Sequence, residues 1–135
     1  MAYSGGCLCG NVRYATDADA AFGGNCHCTD CQRASGGPYA PVMMFPMGTV
    51  SITGTPKFFA SKGDSGNAIE RGFCQNCGTQ LFLKLEAIPG LFGIRPGSLD
   101  DPSLYQPSLD FYVSSAQPWD HMDPGLPKRP LSPRG

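Results

Sequence analysis

The sequence predicts a mainly β domain of antiparallel sheets with one or two short helical turns, clamped by metal-bound sulfur where a larger protein would use more core. Three observations carry this expectation. Short runs rich in β-branched and aromatic residues are separated by Gly, Pro, Asn and Asp. Gly and Pro together supply 31 of the 135 residues, without the period that would signal collagen. Seven cysteines fall into three tight clusters.

In chain order, the strand-like runs are 11–15, 20–25, 39–45, 50–53, 57–61, 68–73, 80–84, 91–94 and 109–113. Their short length and the turn residues between them favour antiparallel sheets over parallel β-α-β units. A helical piece over 29–35 starts at a cysteine cluster and stops at Gly36-Gly37. A single turn over 98–101, capped by Ser98, is the second candidate. Neither piece is long enough to build a helical domain. No internal repeat is present beyond the cysteine pairs.

Composition narrows the function classes. With 41% hydrophobic and 16% charged residues the chain is expected to fold as one domain. Ten basic against eleven acidic residues give a net charge of −1, no general reason to bind nucleic acid or an anionic membrane. Residues 34–56 form the longest uncharged stretch, but Gly36, Gly37, Pro38, Pro41, Pro46 and Gly48 interrupt it. It cannot supply the roughly 20 apolar helical residues of a membrane span. The start, Met1 to Gly6, carries no basic and no long apolar segment, so a soluble cytoplasmic domain is expected.

The body, 1–123, carries −4, and a tail over 124–135 carries Lys128, Arg129 and Arg134 with no acid. Pro124, Pro127, Pro130 and Pro133 recur at every third position, lining one edge of a polyproline II helix. The tail is expected to be a flexible extension, or a segment that a partner with an aromatic groove could read.

The cysteines are Cys7, Cys9, Cys26, Cys28, Cys31, Cys74 and Cys77. An odd number cannot all pair, and a reducing cytosol disfavours structural disulfides, so thiolate ligation of metal is the expectation. Cys74-Gln-Asn-Cys77-Gly78 is the clearest pair: two intervening residues let both sulfurs reach one ion from a tight turn. Cys7-Leu-Cys9, flanked by Gly5, Gly6 and Gly10, completes a closed four-thiolate zinc site across 64 intervening residues. In so small a domain the clip substitutes for missing core.

Cys26, Cys28 and Cys31 remain. Three protein ligands with one open position form the pattern of a catalytic zinc. His27 or His121 could be a fourth ligand. If Cys26 and Cys28 converge on one ion, however, His27 should point away, either to a second layer of contacts or to solvent. Arg33 could lower thiolate pKa values or hold a carboxylate, or could simply be exposed on its helical turn. Other chemistries lack their residues. Gly63-Asp-Ser-Gly66 has no Gly-Lys-Ser/Thr ending, there is no Gly-x-Ser-x-Gly elbow, and Glu70 and Glu86 show no pattern coupling them.

Three motifs in order, Gly6-Cys7-Leu-Cys9-Gly10 with Val12-Arg-Tyr14, Cys26-His-Cys28-Thr-Asp-Cys31-Gln-Arg33 and Phe73-Cys74-Gln-Asn-Cys77-Gly78, resemble the glutathione-dependent formaldehyde-activating enzyme family. This family includes the centromere protein V type. The resemblance runs from about Gly5 to Trp119. It implies a β-tent fold with a structural zinc on Cys7, Cys9, Cys74 and Cys77 and a labile catalytic zinc on Cys26, Cys28 and Cys31. It also implies the joining of glutathione and formaldehyde into S-(hydroxymethyl)glutathione, a carbon–sulfur lyase activity run in the synthetic direction. Arg33, Arg71 and Arg95 are candidates for the glutathione carboxylates by charge alone. The alternative is a zinc-scaffold or glutathione-binding regulatory module without turnover, for which the Pro-spaced tail is the best support.

Overall fold

Ten strands, one α-helix and three 3₁₀ turns make up the computed structural model, in which residues 2–133 are described. Met1, Arg134 and Gly135, and with them one cation of the basic tail, lie outside the described residues. A three-stranded antiparallel sheet has the order β1 (Tyr3–Gly6), β2 (Arg13–Thr16), β5 (Ser51–Thr53). A seven-stranded sheet contains β3 (Phe22–Cys26), β4 (Ala40–Pro46), β6 (Lys57–Lys62), β7 (Ala68–Phe73), β8 (Gln80–Leu85), β9 (Leu91–Ile94) and β10 (Leu109–Phe111). Its order is β10-β3-β4-β9-β8-β7-β6. The mainly β expectation holds.

Both faces of the large sheet are covered, which is why its central strand β4 reads as a nearly unbroken apolar run, Ala-Pro-Val-Met-Met-Phe. On one face, Met43, Phe45, Phe82, Phe92 and Ile94 pack with Tyr14 of the small sheet, with Val12 just before it, and with Cys7 and Cys74. Phe82 meets the rings of Tyr14 and Phe92 at centroid distances of 5.5 and 5.2 Å. On the other face, Val42, Met44 and Leu83 pack with Phe111, Cys26 and Cys31. Along β4 the two-residue period thus sends Met43 and Phe45 into one core and Val42 and Met44 into the other, each core holding cysteines.

Helix α1 spans Thr29–Ser35 as the sequence predicts. The Cys28 side chain is its N-cap, accepting from the Cys31 N–H at 3.3 Å. Gly36 ends it in the left-handed region, φ 75°, donating its N–H to the Gln32 carbonyl at 2.9 Å.

Four expectations are corrected. Strand β1 precedes the first strand expected from sequence, 11–15, and runs through Gly5-Gly6. The glycines serve close approach, since a Cβ at Gly5 would overlap the Ser98 carbonyl and the Tyr14 ring. The turn expected over 98–101 is replaced by two, Pro96–Ser98 and Pro102–Leu104, each with proline in its first turn. The Asp101 side chain caps the second by accepting from the Ser103 N–H.

The sheets are not wholly antiparallel. Strand β10 runs parallel to β3, with Phe111 opposite Cys26. The chain returns to the start of β3, where Ser108 donates its N–H to Gly23 at 2.8 Å, so β10 must follow β3 in the same direction.

The tail, expected to be a free extension, is laid along β10. Asp110 N–H donates to the Pro127 carbonyl and receives from Arg129 N–H at its own carbonyl, both at 2.9 Å. Tyr112 and Ser114 N–H groups donate to the Leu131 and Pro130 carbonyls. A bare sheet edge exposes unpaired peptide groups, and the tail covers this one. The carbonyls of Pro127, Arg129, Pro130 and Leu131 are thus engaged within the chain.

Candidate metal centres and the adjoining cleft

The structure brings the seven cysteines into the two groups drawn from sequence. All are free thiols. Within each group every ligand sulfur lies within 4.8 Å of the others, so Cys7, Cys9, Cys74 and Cys77 could hold one ion and Cys26, Cys28 and Cys31 a second.

The first group is assembled by two turns. Cys7 and Cys9 follow β1, and Cys74 and Cys77 occupy the β7–β8 connection, where Gly78 takes φ 78° and donates to the Cys74 carbonyl at 2.7 Å. The Cys7–Cys9 and Cys9–Cys74 sulfurs are 3.6 and 3.7 Å apart. Val12 N–H donates to the Cys7 sulfur at 3.2 Å. Thr79 joins the two turns: its hydroxyl accepts from Leu8 N–H at 3.1 Å and lies 3.2 Å from the Cys77 sulfur. Hydrogen bonding by the Thr79 hydroxyl and N–H, and by the Cys9 backbone, holds the Cys77 thiol down at about 5. Sequence reading passed over Thr79, although its place directly after Cys77-Gly78 was the signal available.

The second group sits on the opposite face, at the end of β3 and the start of α1. Cys26 and Cys31 are buried and Cys28 is half-buried. Hydrogen bonds from the neighbouring Cys26 and Cys28 push the Cys31 thiol far below its ordinary value, and the positive charges of Arg95 and Arg71 act in the same direction. Cys26, on the donating side of those bonds and buried, is pushed far up. Against a lowering hydrogen bond from Cys26, the bond to Cys31 and burial push Cys28 up as well, so the negative charge of the cluster gathers on Cys31. Arg95 is itself buried; its Nη1 donates to the Pro41 carbonyl at 3.1 Å, while its Nη2 is buried with no partner.

His27 points away from the sulfurs, as chain geometry required, but it faces no solvent: its side chain is fully buried. Nε2 is hydrogen-bonded to Asp110 at 2.9 Å and Nδ1 to Asp120 at 2.6 Å. Asp110 also accepts from Asn25 at 3.1 Å and from Lys128 Nζ at 2.9 Å. His27 N–H donates to the Phe111 carbonyl, and the Gln32 amide donates to the His27 and Ser115 carbonyls. The cysteine loop is thus pinned from behind by charge and amide contacts. His121 is exposed and belongs to neither sulfur group. Asp110 was missed in sequence; one acid inside an otherwise apolar strand was its signal.

A cleft of about 510 Å³ lies between α1 and strands β6 to β8; none of the three cysteines lines it, but Asp30, between Cys28 and Cys31 in the chain, does. Arg33 lines it from the helix and Arg71 from the sheet, together with Lys62 and the acid Asp30. Phe59 and Phe73 give it apolar walls. Of the three arginines chosen by charge, two therefore reach this cleft, and the third is buried close enough for its charge to act on Cys31.

Residues 2–115 match the sequence profile of the family described as glutathione-dependent formaldehyde-activating enzyme, GFA. A Penicillium rubens protein provisionally named a glutathione-dependent formaldehyde-activating enzyme is 27% identical over 112 residues, covering 81% of this chain. The chain spans only 58% of that relative's length. A crystal structure of a Rhodobacter sphaeroides protein superposes with a TM-score of 0.58 at 16% identity, covering 93% of this chain and 98% of that one, a likeness of fold alone. With three cysteine motifs in order, two sulfur groups in space and a profile match over nearly the whole body, the chain belongs to the GFA family.

Proposed function

We propose that this chain is a zinc-dependent enzyme of the carbon–sulfur lyase type that joins glutathione to formaldehyde, giving S-(hydroxymethyl)glutathione. The observation that carries the reading is the incomplete sulfur set: Cys26, Cys28 and Cys31 converge with no fourth His, Cys, Asp or Glu among the described residues, beside a cleft. Donor chemistry suits zinc at both groups. Four sulfurs at about 2.3 Å from one ion in a tetrahedron lie about 3.8 Å apart, and the 3.6 and 3.7 Å contacts match this spacing. Cys7, Cys9, Cys74 and Cys77 take the structural role, and Cys26, Cys28 and Cys31 the catalytic one. Zinc, when bound at the three-cysteine group, lowers the pKa of a thiol entering its open position.

The chain's own residues do the rest. Arg71 and Arg95 place positive charge beside the sulfur cluster, which favours a further thiolate there. The cleft admits the thiol and holds it against formaldehyde, which converts a bimolecular encounter into an intramolecular one. The sulfur–carbon bond forms as the carbonyl π bond breaks, and the proton lost by the thiol ends on the new hydroxyl. A reducing cytoplasm is the compartment that suits seven reduced cysteines.

The test is formaldehyde consumption in the presence of glutathione, measured above the protein-free rate, for the metal-loaded protein and for Cys28→Ser. Wild-type acceleration that Cys28→Ser lacks supports the proposal. Identical rates for the two proteins overturn it.

A further inference from the structure

Among the described residues, Tyr112 is the one residue other than glycine in the left-handed region, at φ 56° and ψ 35°. Side chains crowd the backbone there, so the surrounding structure must hold the conformation. It does so from both sides. Tyr112 donates its N–H to the Leu131 carbonyl at 2.8 Å, and its own carbonyl accepts from the Ser115 N–H at 3.1 Å. The conformation decides where the ring goes. Strand alternation would send Tyr112 to the face opposite Phe111. Instead both rings pack against the core that holds Cys26 and Cys31, with centroids 6.2 Å apart.

The Tyr112 hydroxyl donates to both carboxylate oxygens of Asp64, each at 2.9 Å. Asp64 lies in the β6–β7 turn, and β6 and β10 are the outermost strands of the large sheet, with five others between them. Six strand spacings span about 29 Å in a flat sheet. The contact therefore forms only because the sheet curls over its cysteine face, where Ile69 and its cross-strand neighbour Leu85 pack in the same core as Tyr112. Burial, the Asp64 bond and the negative charges of Asp64, Cys26 and Cys28 push the Tyr112 hydroxyl up to about 12. The sulfurs thus lie near the clasp, inside the curl.

Glycines bracket Asp64. Gly66 takes φ 84° and donates its N–H to the Gly63 carbonyl at 3.0 Å, and Gly63 donates to the Asn67 carbonyl at 3.0 Å. Lys62, at the rim of the cleft, directly precedes this turn.

We propose that the Gly63–Gly66 turn is a gate over the three-cysteine group, and that Tyr112, through its bond to Asp64, is the positioning residue that holds it shut. The proposal rests on the reading of that group as the reacting site. Closed, the turn keeps water and bulky reagents from the sulfurs; swung out on its two glycines, it opens the curl.

The test is iodoacetamide labelling of the zinc-loaded protein, resolved by cysteine in mass spectrometry. Tyr112→Phe keeps the ring and removes the hydroxyl, and Asp64→Ser removes the acceptor on an exposed turn that any polar residue can occupy. Each is expected to raise the labelling rate of half-buried Cys28 about tenfold, the value of one hydrogen bond to a charged acceptor. Labelling of Cys74, in the opposite core, and the urea midpoint should stay at wild-type values. Should Tyr112→Phe fail to fold, Asp64→Ser carries the comparison alone. Unchanged Cys28 labelling overturns the gate. So does a rise matched by faster Cys74 labelling and a lower midpoint, since that marks general loosening. Labelling needs no turnover, so a faster Cys28 in a protein that consumes no formaldehyde upholds the gate and removes the enzyme.

Discussion

Replacing Lys128 by Met tests the strap that pins the cysteine loop. In the native chain Lys128 Nζ reaches Asp110 at 2.9 Å and the carbonyls of Asp123 and Leu126 at 2.6 and 2.9 Å. The Asp110 side chain is 2% exposed and that of Lys128 31%. Removing one partner of a buried ion pair costs about 3–5 kcal/mol. Here water can reach part of the lysine position, and Asn25 and His27 still engage the other oxygen of Asp110. The expected loss is therefore about 2 kcal/mol. With a urea dependence of about 1.5 kcal/mol per molar, the unfolding midpoint falls by about 1.3 M. The fluorescence of Trp119, the single tryptophan, reports the transition.

Because Phe111 pairs with Cys26 and accepts from the His27 N–H, the same variant should release metal faster from the three-cysteine group than from the four-cysteine group. A colorimetric chelator would follow both phases. A midpoint within about 0.3 M of wild type, or unchanged release from the three-cysteine group, would refute the strap.

The two sulfur groups should respond differently to Ser substitution. Cys74→Ser removes a sulfur of the proposed structural site that is 1% exposed inside a core. It removes metal binding worth about 10–16 kcal/mol in small zinc domains, against net stabilities of about 5–15 kcal/mol, so far-UV circular dichroism should report loss of fold. Cys26→Ser should keep the fold and lose one equivalent of metal by elemental analysis; equal damage from both would end the division of roles. Acid stability offers an independent check. Two hydrogen bonds from Arg13 and one from Ser4 hold the Asp100 carboxyl down at about 2, against an ordinary value of 3.8. Its contribution is complete above about pH 4 and disappears as pH falls through about 2. Asp100→Asn should therefore give a flatter acid limb in stability-versus-pH curves, and an unchanged limb would show that the pair contributes nothing.

Much of the cysteine arrangement was legible because the close spacing of sulfurs is local geometry. Cys74-x-x-Cys77 and Cys7-x-Cys9 carry their geometry in their spacing, and α1 declares both ends through Cys28 and Gly36-Gly37. What stayed hidden depends on long-range partners. Nothing around Gly5-Gly6 in sequence signals a strand, because the need for glycine there comes from Tyr14 and the Ser98 carbonyl, distant along the chain. The parallel course of β10 and the docking of Lys128 follow from where the chain returns, which no window of residues encodes. Arg71 could be singled out by charge alone, since its place across the cleft from Arg33 is not visible along the chain.

The large sheet acts as a partition. Cys7 and Cys74 root in the core on one side and Cys26 and Cys31 in the core on the other, so shared strands insulate one sulfur cage from the other. The insulation ends at the β7–β8 turn, where Phe73 and Gln80 line the cleft and adjoin Cys74 and Thr79 of the four-sulfur cage, so a change there reaches both sites.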